Sequence, residues 1–100
     1  MLDLNLITGF DWDSGNIRKS ATKHGVSQAE AEQMFFNDLL LLREDGRHST
    51  AEPRFPALGK TNEGRMLHVT FTLRFDGTKL RIISARDMHK KERMIYGQQT

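Results

Sequence analysis

The 100-residue chain contains no cysteine, which excludes disulfides, thiolate zinc sites and thiol nucleophiles. It has no apolar run of 18 residues, and residues 1–10 carry Asp3 but no basic stretch. Neither a membrane-spanning helix nor a signal peptide is therefore expected, and the expected location is cytoplasmic. A Gly-rich phosphate loop and a G-x-S-x-G elbow are also missing, so nucleotide hydrolysis and acyl transfer have nothing to stand on. The four histidines, His24, His48, His68 and His89, show no metal-ligand spacing such as i and i+4 on one helix, so no metal and no cofactor is expected. What remains for chemistry is His, Lys, Arg, Asp, Glu and Tyr.

With 37% apolar and 8% aromatic residues, the composition suits a single domain with one modest core and gives no sign of disorder. A pI near 9.2 and net charge of +2 are mild, so attraction to a polyanion has to come from a local patch. Such a patch exists. Between positions 79 and 93 stand Lys79, Arg81, Arg86, Lys90, Lys91 and Arg93 against Asp87 and Glu92, a local net of +4 that leaves the rest of the chain at −2. The segment starts as an alternating, β-branched strand (Lys79, Leu80, Arg81, Ile82, Ile83) and continues as a helix with Met88, Glu92 and Ile95 at helical spacing, for which Asp87 is the expected N-cap. A strand end and helix start lined with cations suit a phosphate-bearing partner, although a solvated basic helix has the same composition.

Upstream, residues 7–12 read as a short edge strand. Asp13 or Ser14 can cap a first helix that runs to His24 and stops at Gly25. Ser27 and Glu30 form a capping box around which Val26 and Ala31 can make a hydrophobic staple, with Ala31, Met34 and Phe35 facing the core of a second helix. Residues 39–42 form a short apolar strand, residues 43–53 a polar loop, and residues 54–60 a strand in which Pro56 must avoid a ladder bond. Glu63-Gly64 makes a turn. Residues 66–75 alternate strictly, with Leu67, Val69, Phe71, Leu73 and Phe75 on one face and His68, Thr70, Thr72 and Arg74 on the other.

Asp76-Gly77 is a two-residue hairpin signal because a type I′ turn needs positive φ at both positions. It sets Leu73 opposite Leu80, Phe71 opposite Ile82, Val69 opposite Ser84, Arg74 opposite Lys79 and Thr72 opposite Arg81. The apolar residues then share the face that two N-terminal helices cover. The face bearing Arg74, Lys79 and Arg81 is expected to stay open, and its like-charge pair suits a phosphate. The expected class is α+β, with an antiparallel sheet of about four strands, two N-terminal helices on one face and a C-terminal helix.

Phosphodiester cleavage of RNA fits this inventory. It needs a base for the 2′-hydroxyl proton, cations for the charge that builds on phosphorus oxygens, and an acid for the departing 5′ oxygen. Glu92 among Lys90, Lys91 and Arg93 is a candidate base, or an ordinary helix-surface ion pair. Arg81 and Arg86 can clamp a phosphate bidentately, or Arg86 can tie the strand to the helix or to Glu92. Lys23 and His24 at a helix C-terminus can supply a cation and a proton donor, or simply pack there.

The runs R-I-I-S-A-R (Arg81 to Arg86) and K-K-E-R (Lys90 to Arg93), followed by Tyr96, resemble the C-terminal signature of the BrnT-type toxins, the RelE-like ribonuclease half of a bacterial toxin-antitoxin pair. The resemblance extends over Phe10-Asp11-Trp12-Asp13, Lys23-His24-Gly25-Val26 with Glu30-Ala31, Phe35, His48-Ser49, Arg54-Phe55 with Leu58-Gly59, and Gly64-Arg65-Met66-Leu67. The chain departs from the family at Pro53, where a Glu is usual, and at His89, where a Ser or Thr cap is usual. The resemblance implies a RelE-like fold, RNA cleavage without metal, growth arrest, and neutralisation by a DNA-binding antitoxin of the BrnA type that represses the pair's promoter. Catalysis would rest on Arg81, Arg86, Glu92 and Arg93 with Lys23 and His24. RNA binding would rest on Lys79, Arg74, Arg65, Lys90 and Tyr96, the tyrosine either stacking on a base or closing the core. A scaffold that binds antitoxin or RNA without cutting is the rival reading.

Overall fold

The structure is a computed structural model that describes residues 4–13, 24–42 and 53–99. The expected first helix, and with it Lys23, falls outside the described residues, as do His48 and Ser49. A single 3-10 turn (Leu4–Leu6) leads into β1 (Gly9–Phe10), followed by α1 (Gln28–Gln33), β2 (Leu41–Leu42), β3 (Phe55–Lys60), β4 (Met66–Arg74), β5 (Lys79–Asp87) and α2 (Lys90–Gly97). The class is α+β as expected, but the sheet has five strands in the order β1-β5-β4-β3-β2, with β1 parallel to β5 and the other neighbours antiparallel. No helix among the described residues is long and apolar enough to cross a membrane.

The capping box holds as read: Ser27 Oγ accepts from the Glu30 N–H at 3.1 Å, and the Glu30 carboxylate accepts from the Ser27 N–H at 3.0 Å. These bonds satisfy two donors that a helix start leaves without intrahelical partners. The box fixes α1 so that the buried Val26, Ala31 and Met34 meet Ala57, Leu67, Val69, Phe71, Leu80 and Ile82 on one face of the sheet. Gly59 permits the close approach, since a Cβ there would lie 3.2 Å from Met34 Cβ. Trp12 is tied to the same helix by an indole N–H donated to Glu32 at 2.7 Å.

The two-residue turn forms at Asp76-Gly77, but the ladder stops at Arg74 opposite Lys79 because Phe75 also has a positive φ, 55°. Asp76 and Gly77 have φ of 56° and 82°, and the Thr78 N–H bonds to the Phe75 carbonyl. Leu73 lies opposite Leu80, Phe71 opposite Ile82, Thr72 opposite Arg81 and Arg74 opposite Lys79. Phe75, expected on the core face, instead sits at the hairpin tip with 67% of its surface exposed.

The register then departs from expectation. Phe71 pairs with Ile82 but Thr70 pairs with Ser84, so Ile83 is an extra residue, a β-bulge. Val69 consequently faces Ala85 rather than Ser84, and His68 faces Arg86. Without the bulge, Ser84 and Arg86 would point into the core and Ala85 away from it. With it, Ala85 is fully buried and Arg86 lies on the polar face. A strict period of 2 fails across this stretch because avoiding a buried guanidinium favours one inserted residue.

The second face is not left open, contrary to expectation. Helix α2 covers its lower end through a second apolar cluster of Leu58, Met88 and Tyr96. Higher up, Thr72 is 1% exposed and donates its hydroxyl to the Pro53 carbonyl at 2.6 Å.

Candidate active site

On the second face, β4 and β5 stack polar rows: His68 with Arg86, Thr70 with Ser84, Thr72 with Arg81 and Arg74 with Lys79. Rows two residues apart along a strand are separated by about 6.5–7 Å, so the four rows span about 20 Å. Where the first row meets the start of α2, charges converge.

Helix α2 does not begin where the sequence suggested. Asp87, expected as its N-cap, is the last residue of β5, and its carboxylate accepts from Arg65 at 2.7 and 3.1 Å instead. The cap is His89, in extended conformation, which makes no side-chain cap bond. Glu92, three residues into the helix, reaches back to accept from the His89 N–H at 2.8 Å. The same carboxylate takes a two-pronged bond from Arg86, Nη1 at 2.8 Å and Nη2 at 2.9 Å, and lies 3.8 Å from His68 Nε2.

Hydrogen bonding from Arg86 holds the Glu92 carboxyl down at about 2, well below its ordinary 4.5. A carboxylate so stabilised is a weak base at neutral pH. Arg86 also donates to the Asp87 carbonyl at 3.0 Å. These three bonds leave two of the guanidinium's five N–H groups for a ligand. The His68 side chain is 16% exposed, and its Nδ1 is buried with no hydrogen-bond partner among the described residues. Burial, then the neighbouring Arg86, pushes its pKa below 6.5. The sequence placed His68 on the polar face but did not single it out for the site, because its place beside Arg86 depends on the bulge.

The remaining expected site residues divide. Arg81 lies on the polar face but is engaged, Nη2 to Asp13 at 2.7 Å and Nη1 to Asp11 at 3.4 Å, and its side chain is 20% exposed. It ties β5 to the segment that follows β1. On the open face that the sequence implies for Arg81, its loss would change stability by no more than about 0.5 kcal/mol. The geometry instead predicts that Arg81→Ala lowers stability by about 1 kcal/mol, the upper range for partly exposed ion pairs, measurable by denaturant unfolding. Lys79 donates to Thr8 Oγ1 at 3.2 Å next to Arg74 at the hairpin end of the track. Arg93, exposed, donates to the Met88 carbonyl at 2.7 Å, and Lys90 is exposed on the first turn of α2.

Arg65, His24 and Tyr96 are held in structural contacts. Arg65, expected to bind RNA, binds Asp87, the Glu30 carboxylate at 3.1 Å and the Gly25 and His24 carbonyls at 2.9 and 3.4 Å, joining α1 to the end of β5 on the core side. Its guanidinium is consumed by structure, and Asp87 and Glu30 raise its pKa further. His24 enters that knot through its backbone carbonyl. Tyr96 closes the core. It is 2% exposed and donates its hydroxyl at 2.7 Å to the carbonyl of Leu39, a residue held at φ 67°. A buried ring so anchored cannot stack on a base. It braces a left-handed leucine, a conformation that L side chains adopt only at a cost. Among the described residues, no three His, Asp or Glu side chains converge in a way that could hold a metal ion.

A family described as the ribonuclease toxin, BrnT, of type II toxin-antitoxin systems matches residues 12–92. Among solved structures, the chain is similar to the Brucella abortus ribonuclease toxin BrnT, with 21% identity and a TM-score of 0.59 over 82% of this chain and 97% of that one. At this identity the likeness concerns the fold. No curated protein sequence matches the chain.

Proposed function

Given that the chain belongs to the BrnT family of ribonuclease toxins of type II toxin-antitoxin systems, we propose that it is an endoribonuclease that cleaves RNA without a metal ion. The observation that carries this reading is the His68–Arg86–Glu92 cluster, which lies inside the matched span at one end of the polar track. Arg86 offers two N–H groups to a phosphate from a position that Glu92 fixes in advance, and a preorganised cation is what a developing phosphorane charge requires. Arg81, Arg74 and Lys79 line the strand direction beyond it and guide the backbone of the RNA, while Lys90 and Arg93 add positive charge at the start of α2.

The partner in this reading is a DNA-binding antitoxin of the BrnA type, which covers the toxin and represses the promoter of the pair. The protein acts in the cytoplasm, where transcripts and antitoxin are found. The fold is RelE-like in the sense of a small sheet whose polar face receives RNA.

The test is direct. Purified protein incubated with single-stranded RNA is expected to cut it equally well with EDTA or with magnesium, and the co-purified antitoxin is expected to stop the reaction. Loss of cutting in EDTA with recovery on adding a divalent ion would refute the metal-free mechanism. A specific observation supports the rival reading: Arg81 and Arg86 are both already engaged by carboxylates. RNA that is bound but never cut would establish the chain as a binding module.

A further inference from the structure

We propose that His68 is the proton acceptor of the cleavage reaction, taking the 2′-hydroxyl proton on Nε2 while Glu92 serves as its counter-charge. The inference rests on the ribonuclease reading and deepens it. Three observations carry it. His68 and Arg86 are cross-strand partners, so any phosphate that Arg86 holds lies beside the imidazole. Nδ1 is buried and no described residue hydrogen-bonds it, so Nε2 is the nitrogen that can exchange a proton, and the neutral ring that accepts there carries its own proton on Nδ1. Nε2 lies 3.8 Å from the Glu92 carboxylate, close enough to stabilise an imidazolium as it forms.

The charges around the ring explain why no other group of the cluster suits the task. From β5 it faces Arg86, which stays protonated in proteins; from α2 it faces Glu92, already ionised in its bonds to Arg86, and the exposed cap residue His89. From β3 its partner is the apolar Leu58. Of the buried members of the cluster, His68 alone can gain and lose a proton between pH 5 and 8. In the free protein burial, and after it Arg86, favours the neutral ring, the state a base needs. A bound phosphate offsets the Arg86 charge and so strengthens the base when substrate is present.

The step balances. The 2′-hydroxyl proton moves to Nε2, O2′ bonds to phosphorus, the bond from phosphorus to O5′ breaks, and O5′ takes a proton from solvent. The products are a 2′,3′-cyclic phosphate and a 5′-hydroxyl end, and His68 then returns its proton to water.

The experiment uses the full chain and a single-stranded RNA oligonucleotide, with the same oligonucleotide carrying 2′-deoxy sugars as a control. His68→Gln keeps an amide near the Nε2 position but cannot accept a proton. It is expected to cut 10²–10⁴-fold more slowly, the range for loss of a general base, with RNA affinity within about threefold, since no phosphate donor is removed. Wild-type kcat/KM is expected to fall as pH drops below 6.5, and this acid limb is expected to vanish in the variant. Should the variant fail to fold, the His68 ring can be titrated by NMR in the wild-type protein, and its pKa is expected to match the kinetic one. Normal cutting by the variant, an acid limb that persists in the variant, or a ring pKa that differs from the kinetic value would overturn the assignment and leave the ribonuclease reading intact. A wild-type protein that cuts no RNA would overturn both.

Discussion

Arg86→Ala is expected to slow RNA cleavage by roughly a hundredfold to a thousandfold, the cost of removing one preorganised donor to a transition-state oxyanion. The same change is expected to destabilise the fold, because Glu92 would be left as a carboxylate with only the His89 N–H to bond it. Its side chain is 15% exposed, so water compensates only in part. Breaking a buried pair by removing one partner costs about 3–5 kcal/mol, and the partial exposure of both groups places this pair at the low end, about 3 kcal/mol. An acid titration checks the electrostatic part. The folded Glu92 sits at about 2 against an ordinary 4.5, so its stabilisation is fully present above pH 4.5 and is lost as pH falls through about 2. At 1.36 kcal/mol per pKa unit this corresponds to about 3 kcal/mol. Wild-type stability is therefore expected to decline across that window, and the decline is expected to be much shallower in Arg86→Ala. Arg86→Lys keeps the charge but cannot make the two-pronged bond, and is expected to recover only part of both losses. Unchanged unfolding and unchanged cleavage in Arg86→Ala would show that the pair serves neither purpose.

Phe71→Ala is expected to cost about 3–5 kcal/mol, the range for truncating a buried aromatic. The ring is fully buried at the centre of the main core, 5.3 Å from the Phe35 ring and 5.5 Å from the Phe55 ring. It joins the turn after α1 to β3 and β4, so the cavity would be lined by three segments that cannot all close onto it. Phe75→Ala is the matched comparison. That residue lies four positions along the same strand pattern, yet at the exposed hairpin tip its loss is expected to change stability by no more than about 0.5 kcal/mol. Denaturant midpoints at constant m-value separate the two, and equal losses would mean that the assignment of the core face is wrong.

The contrast between Phe71 and Phe75 shows where reading by alternation stops. Period-2 patterning placed both on one face, and it was right as long as the strand had a sheet neighbour. At a turn the chain leaves the sheet, and a side chain there has no core to point into. The same limit explains the bulge. Alternation through Arg81, Ile82, Ile83 and Ser84 gave the correct pairing from the turn to Ile82 and then one residue too few. An inserted residue carries no local signal when its neighbours are all compatible with a strand.

The polar site was partly legible for a similar reason. Arg86 and Glu92 were visible as chemistry because their charges stand close together in the sequence, six residues apart. That they would bond each other was one of two open readings, and only the position of α2 against β5 selected it. The face of His68 was legible but its membership of the site was not, since it lies 18 positions from Arg86 and 24 from Glu92. Arg65 was expected to bind RNA and Tyr96 either to stack on a base or to close the core; Arg65 is bound to two carboxylates and two carbonyls, and Tyr96 is buried with its hydroxyl on the Leu39 carbonyl.

By itself the sequence determined what local physics decides: the capping box at Ser27 and Glu30, the type I′ turn at Asp76-Gly77, the register as far as Ile82, the absence of thiol chemistry and the concentration of positive charge after Lys79. Those features depend on residues within a few positions of one another, so short-range sterics and hydrogen bonding suffice. The tertiary structure decided which face Arg86 occupies, that Asp87 serves Arg65 rather than the helix cap, and that His68 joins Glu92. Each of these depends on competition between burial and solvation across strands distant in the chain. A guanidinium that would otherwise enter the apolar core is moved to the polar face by one inserted residue, and the candidate active site forms where it emerges.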